Sequence, residues 1–135
     1  MTVPSACPPG WLRGVFARKT SPIWMDSSTA EECAEIRTQL GGIKATATAT
    51  GSDAFERFTG PQIRKFYKNE PAAYAATKSI ALVSSFLASL LAGKIAPIDY
   101  GDGAGMNLMD ISQKVWHPAA LRATVLWRTR SSVAS

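Results

Sequence analysis

Glycine and proline cut this chain into short segments, and that punctuation limits its folds more than any other feature. Gly41-Gly42, Gly60-Pro61, Pro71, Gly93, Pro97 and the run Gly101-Asp102-Gly103-Ala104-Gly105 confine helices to the stretches between them. Pro4, Pro8, Pro9, Gly10 and Gly14 leave the first twenty residues irregular, without periodicity. They would also break the amphipathic helix of a mitochondrial transit peptide. The best apolar run, Ile80 to Leu91, is interrupted by Ser84, Ser85 and Ser89. It falls short of the ~20 residues a membrane span requires. A soluble, reducing, cytoplasmic setting is therefore expected.

Within that frame, Asp26-Ser27-Ser28-Thr29 before Glu31 and Glu32 predicts a helix start, with Ser28 and Glu31 or Thr29 and Glu32 forming a capping box. Cys33, Ile36 and Leu40 follow at helical spacing, and Gly41-Gly42 ends the helix. The alternating Ala and Thr of 44–50 read as a short helix or loop. Thr59-Gly60-Pro61-Gln62 predicts a second start, with Thr59 as cap and Gln62 completing the box, ending by Glu70 before Pro71. Ile80, Val83, Phe86, Leu87, Leu90 and Leu91 form one apolar stripe. They predict the longest helix, buried in the core, with Ser85 and Ser89 facing away and Gly93 closing it. Pro97 to Tyr100 reads as extended, Gly101 to Gly105 as a turn, and Asn107 to Trp116 as a short strand or helical turn.

Charge excludes one class of function. The chain holds 15 Lys and Arg against 10 Asp and Glu. Arg13, Arg18 and Lys19 in the first twenty residues, and Arg122, Arg128 and Arg130 in the last fifteen, account for the whole excess. The middle is neutral, so no phosphate-neutralising face is expected and no nucleic acid is a partner. Two cysteines, Cys7 and Cys33, make neither a disulfide framework nor a metal site, and Cys33 belongs to the core. The single histidine, His117, reads as a surface residue. Gly101-Asp102-Gly103 has the spacing of a phosphate cradle but no helix signal after it, so it reads as a turn. Asp99 and Asp102 form too short a pair to hold a cation. Arg57, flanked by Phe55 and Phe58, could serve hydroxyls or a carboxylate, or could pair locally with Glu56 or Asp53.

Four blocks in order carry a resemblance. Ser21-Pro22-Ile23-Trp24-Met25-Asp26-Ser27-Ser28-Thr29 comes first, and Ala54-Phe55-Glu56-Arg57-Phe58-Thr59-Gly60-Pro61-Gln62-Ile63 second. Ser84-Ser85-Phe86-Leu87-Ala88-Ser89 and the stretch from Pro97 to Leu108 follow. Together they resemble the eukaryotic xylulose kinases, a branch of the FGGY carbohydrate kinases. The resemblance implies ATP-dependent, Mg²⁺-assisted phosphorylation of D-xylulose to D-xylulose 5-phosphate. It implies an α/β fold, this chain being a mostly helical part of an actin-like (ribonuclease H-like) ATPase domain. It makes Arg57 a sugar contact, and Asp26 a second, weaker assignment.

The resemblance spans about 21–124, a partial N-terminal domain, between an irregular leader at 1–20 and a divergent tail at 125–135. The family's phosphate hairpin, Q-H-G segment, G-D-N segment with its catalytic Asp, and nucleotide segments have no counterpart here. No catalytic, cofactor-binding or metal-binding residue is therefore expected in this chain, which binds no ATP or Mg²⁺ by itself and is expected to be inactive alone. The competing expectation is a non-enzymatic interaction chain, since an uncovered 80–91 stripe forgoes ~1.5–3 kcal/mol per side chain.

Overall fold

The computed structural model describes residues 14–124. Of the leader expected over 1–20 only 14–20 fall among these, and the tail expected at 125–135 lies outside them. The described residues form α1 (Ala30–Leu40), α2 (Ile43–Thr50), α3 (Thr59–Asn69), α4 (Pro71–Ala76), α5 (Val83–Ala92), α6 (Tyr100–Ala104), β1 (Met109–Asp110), β2 (Val115–Trp116) and α7 (Pro118–Ala123). Helices take up about half of them. The strands pair antiparallel, Met109 opposite Trp116 and Asp110 opposite Val115.

α1 ends as its glycines require. Gly41, at φ 93, enters the left-handed region, and the Gly42 N–H donates to the Arg37 carbonyl at 2.7 Å. Its start differs from the expected box. The Thr29 hydroxyl donates to the Glu56 carbonyl at 2.6 Å, so a distant acceptor has displaced the local cap. α2 is a helix despite its alternating pattern. Thr46, Thr48 and Thr50 each donate a hydroxyl to the carbonyl four residues back, which lets Thr46 and Thr50 be buried. α3 begins one residue earlier than the cap reading, with Thr59 inside the helix and Phe58 before it, and no side chain caps it. Pro71 does more than stop α3: it occupies the first turn of α4, where a missing N–H is harmless. The Gly101–Gly105 turn is the helix α6, started by Asp99, whose carboxylate accepts from the Gly101 N–H at 2.8 Å.

α5 corrects the largest expectation. It runs only from Val83 to Ala92, is shorter than α1 and α3, and carries its apolar stripe outward. Val83 is 88% and Leu91 83% exposed, with Leu87 and Leu90 about half exposed, while Ser85 is 4% exposed. Hydrogen bonding turns the serine face inward. Ser85 Oγ accepts from the Leu82 N–H at 3.0 Å, and Ser89 Oγ donates to the Ser85 carbonyl at 2.6 Å while accepting from the Ala96 N–H at 2.9 Å. These bonds bind both ends of the helix to its flanks, and Ile80 and Leu82, upstream of it, reach the core instead.

The core has two parts. Ile63, Phe66, Tyr74, Ile98, Met106, Leu108 and Ala120 form the larger, and Cys33, Ile36, Ala54 and Ala123 the smaller. An ion cluster ties α1 to α3. Glu35 accepts from Arg64 Nε and, at 3.0 Å, from Lys68 Nζ, and Lys68 also lies 3.1 Å from Glu31 and from Glu32. Arg64 Nη1 donates to the Ala123 carbonyl at 2.7 Å, which adds α7. Arg64, and after it Lys68, hold the Glu35 carboxyl below its ordinary 4.5. Glu35, and after it Glu32, push the Lys68 amine up.

Two expectations follow from this packing. Leu108, fully buried, should lose ~2–5 kcal/mol on change to Ala, and Leu91→Ala should stay within ~0.5 kcal/mol, both read from urea unfolding midpoints. A depressed folded pKa means the Glu35 contribution is complete above the ordinary glutamate range and is lost as pH falls through the folded value. Glu35→Gln should therefore lower the midpoint at neutral pH and make its decline between about pH 5 and about pH 3 shallower than the parent's.

Candidate functional site

The loop between α2 and α3 presents Arg57, and both its ends are anchored. Arg37 grips Asp53 with two parallel bonds, Nε to Oδ1 at 2.9 Å and Nη2 to Oδ2 at 2.8 Å, and Nη2 also reaches the Ala54 carbonyl at 2.7 Å. The Arg37 hydrogen bonds hold the Asp53 carboxyl below its ordinary range. From the far side, Asn107 enters at φ 62, buried, and its amide donates to Thr50 Oγ1 at 2.7 Å and to the Ser52 carbonyl at 3.0 Å. At the loop's other end, Gly60 N–H donates to the Met106 carbonyl at 2.9 Å.

With Asp53 committed to Arg37, Arg57 makes no ion pair among the described residues, which removes the local-pairing alternative. Its guanidinium lies 4.9 Å from the Phe55 ring centroid and 5.9 Å from that of Trp24. Trp24, 75% exposed, takes the place expected for Phe58, which packs edge-on against Phe55 at 5.5 Å. An Arg resting on two rings keeps its planar fork oriented and its N–H groups available to an incoming ligand.

Asp26 belongs to the segment that supplies Trp24. Its Oδ1 accepts from the Ser28 N–H at 2.9 Å and from the Ser28 hydroxyl, which together hold its carboxyl below the ordinary range. Gln62 joins the two segments. Its Nε2 donates to the Asp26 carbonyl at 2.9 Å and to the Glu56 carbonyl at 3.2 Å, the oxygen that also accepts from Thr29. Asp26 lines an open cleft of about 170 Å³ with Arg18, Gln62, Lys65, Asn69 and Glu70 among others. Arg57 is not part of that lining. The structure thus places the two residues on joined segments, but not around one cavity.

Sequence reasoning missed Trp24 and Gln62 as parts of this site. Gln62 sits at box spacing from Thr59, and its real acceptors lie 36 and 6 positions away. The remaining candidates take structural roles. The Gly101 and Gly103 amides are bound by the Asp99 side chain and carbonyl, both at 2.8 Å, and so cannot cradle a phosphate. Asp102 accepts from Ser84 Oγ, and no cluster of three possible metal ligands exists among the described residues. These residues do not fit ATP or Mg²⁺. His117 Nδ1 accepts from the Ala120 N–H at 3.3 Å and starts α7. Cys33 is fully enclosed, and burial pushes its thiol up, away from the reactive thiolate. No helix among the described residues is long and apolar enough to cross a membrane.

Arg57 thus rests on two rings, on a loop that the Gln62 amide joins to the Asp26 segment. Residues 20–130 match the N-terminal domain of the FGGY family of carbohydrate kinases, and the chain belongs to that family. It is 55% identical over 113 residues to Xylulose kinase 2 of Arabidopsis thaliana, covering 84% of this chain and 20% of that protein. It is 50% identical over 112 residues to Xylulose kinase of Rattus norvegicus, covering 83% and 21%. It is 50% identical over 111 residues to Probable D-xylulose kinase A of Aspergillus flavus, covering 82% and 19%. The chain therefore spans about a fifth of the length of these relatives.

Gly60 offers a direct check on how the end of the Arg57 loop is anchored. A Cβ there would stand 3.0 Å from the Met106 carbonyl oxygen, a backbone atom already bonded to the Gly60 N–H. In an unobstructed helix Gly→Ala gains stability; Gly60→Ala should instead cost ~1–3 kcal/mol, measured by equilibrium unfolding.

Proposed function

We propose that this chain supplies part of the sugar side of a kinase that transfers the terminal phosphoryl group of ATP to the 5-hydroxyl of D-xylulose, giving D-xylulose 5-phosphate. The observation that carries this is Arg57, resting on Phe55 and Trp24 and held to the Asp26 segment by Gln62. Proteins named xylulose kinase share half or more of the aligned residues, which points the site toward that sugar. Arg57 N–H groups donate to sugar hydroxyls, and Asp26 is the second, weaker contact. The parent domain is of the actin-like (ribonuclease H-like) kind, and the setting is cytoplasmic.

In the whole enzyme ATP would supply the phosphoryl group and Mg²⁺ would offset the charge of its oxygens. The described residues are not arranged for either: the glycine run has spent its amides, Asp99 caps α6, and Asp53 and Glu35 are paired with Arg37 and Arg64. A catalytic base has no counterpart among them. What these residues do is bind and orient the sugar, so this chain by itself should not turn over ATP with D-xylulose. The second reading, a non-enzymatic interaction chain, is favoured by the outward stripe of Val83, Leu87, Leu90 and Leu91. Size-exclusion chromatography separates them, since that reading requires association where the first allows a monomer.

The test is Arg57→Ala placed at the matching position of a full-length relative. Sugar affinity should fall by ~1.5–3 kcal/mol, about tenfold or more, while ATP affinity stays nearly constant, both by titration calorimetry. Equal loss for both ligands would mean a folding defect and would sink the assignment.

A further inference from the structure

Residues 14–19 precede the stretch that matches the family, yet they pack on it. Arg18 is the centre of this contact. Its Nη2 lies 2.6 Å from Glu70 Oε1, at the end of α3, and its guanidinium lies 4.6 Å from the Phe66 ring centroid. Two residues earlier, Phe16 meets Phe86 of α5, ring centroids 5.8 Å apart. One short stretch thus holds α3 through Arg18 and α5 through Phe16. α5 has few other ties: its stripe faces outward, Ser85 and Ser89 bond within the helix and to the chain flanking it, and Ser84 donates to Asp102.

We propose that residues 14–20 act as a latch that ties α5 to α3 and closes one wall of the Asp26 cleft. The geometry connects the two effects. Arg18, Thr20, Ser21 and Pro22 line that cleft together with Gln62 and Lys65, and the chain then runs directly into Trp24 and Asp26. Releasing Arg18 from Glu70 frees both α5 and that wall. The contact is built to be reversible. The ion pair is partly exposed and so is screened by salt. Arg18 Nε is buried with no hydrogen-bond partner, a penalty borne only while the latch is docked.

Hydrogen–deuterium exchange on the full chain, read by mass spectrometry over α5 and α1 peptides, tests this. Phe16→Ala and Arg18→Ala should each speed exchange in α5 about tenfold or more while α1 keeps the parent rate. Glu70→Gln keeps the Phe66 contact and should give a smaller rise, and about 0.5 M salt should produce the same rise in the parent. Unchanged α5 exchange in both alanine variants overturns the proposal. Equal acceleration of α1 and α5 overturns it as well, because residues 14–20 would then brace the whole fold. If an alanine variant fails to fold, Glu70→Gln decides: faster exchange confined to α5 supports the latch, and no change refutes it.

Discussion

The carbonyl oxygen of Glu56 accepts two hydrogen bonds, one from the Thr29 hydroxyl and one from the Gln62 amide, and much of the molecule is arranged around it. Thr29 starts α1 and Gln62 lies in the first turn of α3, so a single backbone acceptor brings two helix starts to one loop. Both donors are side chains that could have capped their own helices. A bond to a distant, partly buried carbonyl satisfies that carbonyl as well, and an unmet buried acceptor is worth more than a local cap. The ion cluster of Glu35, Arg64 and Lys68 then holds α1 and α3 side by side, and α7 closes on both through Ala123.

How much of this was legible in the sequence depends on whether the deciding force was local. The face of Cys33 and Ile36, the glycine stop of α1, the end of α3 before Pro71 and the Gly93 stop of α5 all follow from neighbouring residues, and all hold. The expected boxes gave way where the Thr29 hydroxyl and the Gln62 amide had tertiary partners. α5 failed for a related reason. Apolar periodicity reports which face could be buried, not what is present to cover it, and the serine hydroxyls had backbone partners available on the other face.

The aromatic setting of Arg57 was legible from its neighbours, although one of the two rings is Trp24, 33 positions away, rather than the adjacent Phe58. No periodicity links residues 24, 57 and 62. The resemblance located the first two segments as blocks, but the amide that joins them could be seen only in three dimensions. The glycine run shows the converse: its spacing suggested a loop, and the carboxylate of Asp99 turned it into a helix.

The anchoring of the Arg57 loop has a consequence for how the chain acquires its shape. Asn107 pins the loop's beginning and the Met106 carbonyl its end, and both come some fifty residues later in the chain. Contacts of that span form only after the loop-closure entropy of the intervening stretch has been met. During synthesis, which runs from the amino terminus, the aromatic residues and Arg57 emerge well before the two residues that hold them in place. Until then the loop has its bonds to Arg37, Thr29 and Gln62 but lacks these later anchors, so the surface that carries Arg57 is among the last parts of the chain to become fully organised.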